Sequence, residues 1–149
     1  LTLAELLSMN NTGAPRRIAA DNAWTHRPAE ALTVLAGHYA QAPSPHTVVI
    51  ANFRSTHAPS RNAACAIMAP CYMMWRASWD QPADDMQYLK WVDAAARLAE
   101  PYAAGCYINE TDFFSRPERA QRSYSADNWQ RLHAVKTEYD PQNLFHAPF

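Results

Sequence analysis

The sequence predicts an α+β fold: an antiparallel sheet flanked by helices, closed by a C-terminal strand-loop-helix segment. Three observations carry this expectation. Short runs at 46–53, 63–68 and 71–79 have extended, β-type patterning and are joined by short links, which implies antiparallel pairing. A long amphipathic pattern follows Asp80-Gln81-Pro82 and ends at Pro101. From 102 to 146 the chain strings together a short apolar run, a polar loop, an amphipathic helix and a hard stop.

In order, residues 1–9 place Leu3, Leu6 and Leu7 on one helical face, and Asn10 to Gly13 followed by Pro15 end that turn. The stretch from Ile18 to Trp24 is compatible with a strand or an irregular crossing. Pro28 suits the first position of a helix and Glu30 favours its positive end. Ala31, Leu32, Leu35 and Tyr39 repeat at helical spacing, the helix is expected to stop near Gln41 because Pro43 and Pro45 follow, and His38 is expected to interact with the helix end. The run His46 to Phe53 is β-branched and short. In 71–79, Tyr72, Met74, Arg76 and Ser78 point one way, and Cys71, Met73, Trp75, Ala77 and Trp79 the other. The helix after Pro82 has Asp84 and Asp85 in its first turn and an expected stripe of Met86, Leu89, Val92, Ala96 and Ala99. Gly105 to Ile108 reads as a strand, and 113–124 as a loop with Pro117 and several arginines. Ser125 is placed to cap a last helix, with Trp129, Leu132, Val135, Lys136 and Tyr139 at its 3.6-residue spacing. Asp140-Pro141 stops that helix, and Asn143-Leu144-Phe145 is expected to fold back and pack.

Composition narrows the function. The 149 residues suffice for one domain with a core, and 48% hydrophobic with 18% charged fits a folded soluble protein. A net charge of −1 without a run of one sign gives no footprint for nucleic acid or an anionic membrane. No apolar run approaches the roughly 20 residues that span a bilayer, and no signal peptide is visible, so a soluble and cytoplasmic setting is expected. Cys65, Cys71 and Cys106 form no CxxC pair and are expected to be buried thiols, with neither a disulfide framework nor a zinc site. With only Gly13, Gly37 and Gly105 present, a glycine-rich phosphate cradle cannot form on these residues.

Three places carry candidate chemistry. In Tyr107-Ile108-Asn109-Glu110-Thr111-Asp112, an extended backbone puts Tyr107 and Asn109 on one face and Ile108 and Glu110 on the other. A phenol beside a carboxamide can hydrogen-bond a heteroaromatic ring or a polarised oxygen, and a Tyr near cations can act as a base; the alternative is a polar strand end. Arg54 and His57 sit in the loop after the 46–53 run, where solvated side chains are the simpler reading. Tyr72 and Arg76 lie mid-strand, and a mid-strand Arg must reach solvent, a carboxylate or an anionic ligand.

The C-terminal series resembles the closing segment of berberine-bridge-enzyme-like FAD-linked oxidases, in the vanillyl-alcohol-oxidase flavoprotein group. The likeness rests on Gly105-Cys106-Tyr107-Ile108-Asn109-Glu110-Thr111-Asp112, Tyr124 to Asn128, Trp129-Gln130-Arg131-Leu132, Val135-Lys136, and Tyr139-Asp140-Pro141-Gln142-Asn143-Leu144-Phe145-His146. It extends more loosely back to residue 28. The resemblance implies that residues 1–104 are part of a substrate-binding α+β domain and that 105–149 pack on it and line the flavin site. It implies Tyr107 and Asn109 as flavin neighbours; within that reading Tyr107 and Glu110 are the catalytic candidates, and Tyr72 and Arg76, singled out by their place in the strand, the substrate-binding candidates. Many relatives have an aromatic residue directly after the Asn; here Glu110 stands there. The cofactor implied is FAD, held mostly by an N-terminal FAD-binding domain that has no counterpart in these residues. The function so implied is oxidation of a small-molecule alcohol, sugar or amine-type substrate by hydride transfer to flavin, with these residues inactive alone. The alternatives are a non-catalytic α+β module that binds a partner and a small-ligand-binding domain without flavin.

Overall fold

The computed structural model describes residues 17–55, 64, 67, 69–113 and 116–145. Their regular elements are β1 (Arg17–Thr25), α1 (Pro28–Tyr39), β2 (Val48–Phe53), β3 (Cys71–Trp79), α2 (Asp85–Ala99), β4 (Ala103–Gly105) and α3 (Ala126–Tyr139). The sheet is antiparallel throughout, in the order β2-β3-β1-β4. The α+β expectation therefore holds. The stretch left open between strand and crossing becomes β1, which pairs with β3 along its whole length. The expected helix at 1–9 lies outside the described residues, as does most of the 63–68 run; the described residues 64 and 67 are not in a strand.

Strand alternation sets the layers. Cys71, Met73, Trp75, Ala77 and Trp79 are all buried, whereas Tyr72, Met74 and Arg76 are half-buried on the opposite face. The buried set meets α2, and α1 packs on α2 and β2, so both helices cover one face. The core is Leu35 of α1, Met73, Trp75 and Trp79 of β3, and Tyr88, Trp91, Val92 and Ala95 of α2. Two tryptophans bury their bodies there and still place their polar edges. Trp75 Nε1 donates to the Val92 carbonyl at 3.2 Å, and Trp79 Nε1 to Asp85 Oδ1 at 2.7 Å. Hydrogen bonds from Arg17 and then Trp79 hold the Asp85 carboxyl below the usual carboxylate range, tying the start of α2 to the sheet.

Four expectations need correction. The buried stripe of α2 is Tyr88, Trp91, Val92, Ala95, Ala96 and Ala99, while Met86 and Leu89 are exposed. The helix is rotated because two ring stacks fix it: Tyr88 on Trp79 at 4.8 Å, and Trp91 on His38 at 4.8 Å. His38 thus turns across to α2, with Nε2 3.0 Å from the Trp91 carbonyl, and does not serve its own helix end. The last strand ends at Gly105, and Ile108–Glu110 form a 3-10 turn. Gly105 marks the departure: a Cβ there would lie 2.7 Å from Ile67 Cδ1 and 3.0 Å from the Arg122 carbonyl. Finally, Ser125 caps α3 as expected, accepting from the Asn128 amide at 3.2 Å, but no residue of α3 is buried. The chain after it does turn back, because Asp140 accepts from the amides of Leu144 and Phe145 at 2.7 and 3.0 Å. Leu144 and Phe145 themselves remain exposed, so the expected packing is absent.

Candidate functional site

The sheet face away from the helices is where the candidate side chains meet. Register places Trp24 and Asn52 beside Tyr72, Asn22 and Ile50 beside Met74, and Ala20 and Val48 beside Arg76. Across this face the chain after Gly105 is held by Asn22, whose side chain is fully buried. Asn22 Oδ1 accepts from the Tyr107 amide at 2.6 Å, and Nδ2 donates to the Tyr107 carbonyl at 3.1 Å and to Thr111 Oγ1 at 3.0 Å. A carboxamide with both ends engaged acts here as a substitute strand, pairing with backbone that the sheet no longer pairs.

The turn that follows gathers Tyr72, Tyr107, Asn109 and Glu110. The Glu110 amide donates to the Tyr107 carbonyl at 3.1 Å, so the backbone closes on itself. The Tyr72 hydroxyl donates to Glu110 Oε2 in a short hydrogen bond, and the Tyr72 and Tyr107 rings meet edge to face at 6.4 Å. Asn109 Nδ2 donates to Tyr107 Oη at 2.9 Å. Burial, and then the Glu110 carboxylate, push the Tyr72 phenol well above its ordinary value. Tyr72 is therefore a neutral donor and not a base. Arg76 lies four residues further along β3, outside this cluster, on the same face.

Asn109 and Glu110 were expected on opposite faces of an extended strand with Tyr107 beside Asn109; the 3-10 turn replaces that geometry. Arg54 proves structural. Its guanidinium donates to the carbonyls of Ile67 and Ala69 at 2.8 and 3.3 Å and lies 4.0 Å over the Trp24 ring, which in turn sits 5.0 Å from Tyr72. His57 lies outside the described residues.

Sequence reasoning missed the second anchor of the segment, on the helix side of the sheet. Arg119 Nη1 pairs with Asp21 at 2.5 Å, and Nη2 donates to the Asn22 carbonyl at 2.6 Å; both side chains are almost wholly buried. Arg116 adds a longer contact to Asp21 at 3.7 Å and pairs with Asp93 of α2 at 3.0 Å. Burial pushes the Asp21 carboxyl up, against the pull of Arg119, the Asn22 amide and Arg116. Cys106 is a buried thiol in contact with Ser123 Oγ at 3.1 Å, and Ser123 Oγ accepts from the Cys106 amide. The signals available were an Asp in mid-strand and arginines in a polar loop; neither names its partner.

Comparison with known proteins fits this geometry. Residues 106–148 match the model of the family described as berberine and berberine like. The uncharacterized FAD-linked oxidoreductase YvdP of Bacillus subtilis (strain 168) is 35% identical over 77 residues, 52% of this chain and 17% of that protein. Among solved structures, berberine bridge enzyme from Eschscholzia californica superposes with a TM-score of 0.69 at 17% identity, over 99% of this chain and 35% of the other. BBE-like 1 from Physcomitrella patens gives 0.71 at 17% identity, over 94% and 32%. These structural likenesses show a shared fold, and the chain spans about a third of the structures and under a fifth of the curated relative. Residues 106–148 thus resemble the berberine and berberine like family, and the chain as a whole shares the fold of the berberine-bridge-enzyme structures it superposes on.

Proposed function

We propose that this chain forms the substrate-side wall of a flavin site in an FAD-dependent oxidoreductase acting on an alcohol, sugar or amine-type carbon. The observation that carries the proposal is the cluster of Tyr72, Tyr107, Asn109 and Glu110 on the helix-free face of the sheet. The residues fit one part of the cofactor. Phenol and carboxamide groups at the edge of an aromatic-lined face suit the flavin ring, and Tyr107 and Asn109 are the residues that would meet it. They do not fit its phosphates: Gly37 lies within α1 and Gly105 is packed against Ile67 and the Arg122 carbonyl, so neither opens a cradle. The phosphates and adenine then belong to other parts of the full-length protein, with 1–104 supplying sheet and 105–149 supplying the segment that lines the ring.

Bound FAD supplies the two-electron acceptor for the substrate C–H hydrogen. The task left to this chain is the proton. Of the two catalytic candidates, Glu110 suits a general base better, because it is an exposed carboxylate that Tyr72 already orients. The Tyr107 hydroxyl accepts from Asn109, which makes it a wall and a positioning group. Glu110 would take the proton from the substrate O–H or N–H, and Tyr72 would hold its carboxylate in place without competing for that proton.

The test uses the full-length protein. It should purify with flavin, and Glu110→Gln should keep that flavin while slowing its anaerobic bleaching at about 450 nm by roughly 10²–10⁴-fold with a substrate found by screening alcohols, sugars and amines. A colourless wild-type protein, or a Glu110→Gln variant that bleaches at the wild-type rate, would sink the proposal.

A further inference from the structure

We propose that Arg76 is the anion-recognition residue of this site, and that the substrate carries a carboxylate or similar oxyanion remote from the carbon that reacts. This deepens, and rests on, the reading of the sheet face as the substrate wall. A guanidinium stays charged at any physiological pH. The Nε of Arg76 is fully buried and has no hydrogen-bond partner among the described residues. Its cross-strand neighbours are Ala20 and Val48, and its neighbours along the same face of β3 are Met74 and Ser78. None of these is a carboxylate. Glu110, on the same face, is taken by Tyr72. Asp21 is one register step away but belongs to the helix side, where Arg119 holds it. A cation whose donor is buried and unpaired is costly, and a planar fork of N–H groups matches a carboxylate's two oxygens.

The spacing along β3 adds a dimension. Arg76 and Tyr72 are four residues apart, about 13 Å at ~3.3 Å per residue. Between them lies Met74, flanked by Ile50 and by the buried Asn22. One end of the face thus offers a cation, the middle an apolar strip, and the other end the Glu110 carboxylate with its aromatic neighbours. A ligand that fills all three is elongated, with a flat apolar body, an oxyanion at one end and the reacting carbon at the other.

The test is a titration of the full-length protein with 4-biphenylcarboxylate and its neutral analogue 4-biphenylcarboxamide. Binding is read in two ways: by flavin absorption, and by tryptophan fluorescence, since Trp24 lies on this face 5.0 Å from Tyr72. The carboxylate should bind at least about tenfold more tightly than the amide, as expected of one charge-assisted hydrogen bond. Arg76→Gln should abolish that preference, and Arg76→Lys should retain part of it. Equal affinity of the two probes for the wild type overturns the proposal, as does a preference that survives in Arg76→Gln. If Arg76→Gln lowers the melting temperature and the wild type shows no preference, Arg76 serves a carboxylate elsewhere in the full-length chain and the proposal fails. A preference that depends on Arg76 in a protein without flavin leaves this inference standing and refutes the flavin reading. Bound flavin without any preference does the reverse.

Discussion

Replacing Asn22 with Ala should loosen the site from below, and the cost can be worked from its contacts. The side chain is fully buried and makes three hydrogen bonds. The Tyr107 carbonyl keeps two other partners, Thr111 Oγ1 at 2.9 Å and the Glu110 amide at 3.1 Å, so its loss is small. Among the described residues the Tyr107 amide has only Asn22 Oδ1, and leaving it unsatisfied costs about 1–3 kcal/mol. The bond to Thr111 adds about 1 kcal/mol, giving a total of roughly 2–4 kcal/mol. For a domain of this size that is a fall in melting temperature of about 6–12 °C. Asn52→Ala is the control. Asn52 is exposed on the same face, and its removal should change stability by less than about 0.5 kcal/mol. Urea unfolding of both variants in the full-length protein, fitted for midpoint and slope, gives the comparison. Asn22→Asp should cost at least as much as Asn22→Ala, because in a fully buried site its second carboxylate oxygen would face the Tyr107 carbonyl, acceptor against acceptor. If Asn22→Ala cost no more than Asn52→Ala, the clamp would not be what holds the Tyr107–Glu110 turn on the sheet.

Two further outcomes follow from the buried and shifted groups. Arg119→Leu should destabilise by about 3–5 kcal/mol, since it strands the Asp21 carboxylate, and Asp21→Asn in the same chain should recover part of that loss. Burial opposes the charged form of Asp21, and removal of Arg119 takes away the main compensation: the variant should be closest to wild type at acid pH and lose stability as pH rises through the raised pKa, which urea midpoints across pH would record. Tyr72 is held above the ordinary phenol range by burial and then by Glu110, so its stabilisation is present below about pH 10 and fades as pH climbs through the raised value. Glu110→Gln should therefore move one tyrosine of the ultraviolet titration near 295 nm to lower pH, and an unchanged titration would separate Tyr72 from Glu110.

How far the sequence reaches depends on whether a feature is local. The alternation in 71–79 is local, and β3 follows it residue by residue. The start of α2 and the cap of α3 are local too. Asp21 and Asn22 sit in the middle of β1, and two polar residues at the centre of a strand read as an interruption. They are buried all the same, because Arg119 and the Tyr107 backbone satisfy them from about 85 to 100 residues away, distances at which sequence spacing carries no information. The rotation of α2 has the same origin. Met86 and Leu89 are as apolar as the stripe that is buried, and only the aromatic stacks with Trp79 and His38 choose between the faces.

The site shows what such non-local capture does to a motif. Tyr107, Asn109 and Glu110 were all legible as candidates, but an extended backbone would send the Tyr107 and Glu110 side chains to opposite faces, and no single partner could meet both. In a 3-10 turn, positions i and i+3 eclipse. The Tyr107 carbonyl and the Glu110 amide close that turn, and both side chains arrive at Tyr72, one through its ring and one through its carboxylate. The change of backbone is imposed by Asn22, which removes the Tyr107 amide and carbonyl from any strand ladder and holds them on its own side chain. The spacing that looked wrong for a shared function in a strand is thus the right spacing in the turn, and a residue in β1, 85 positions earlier, decides which of the two the chain adopts.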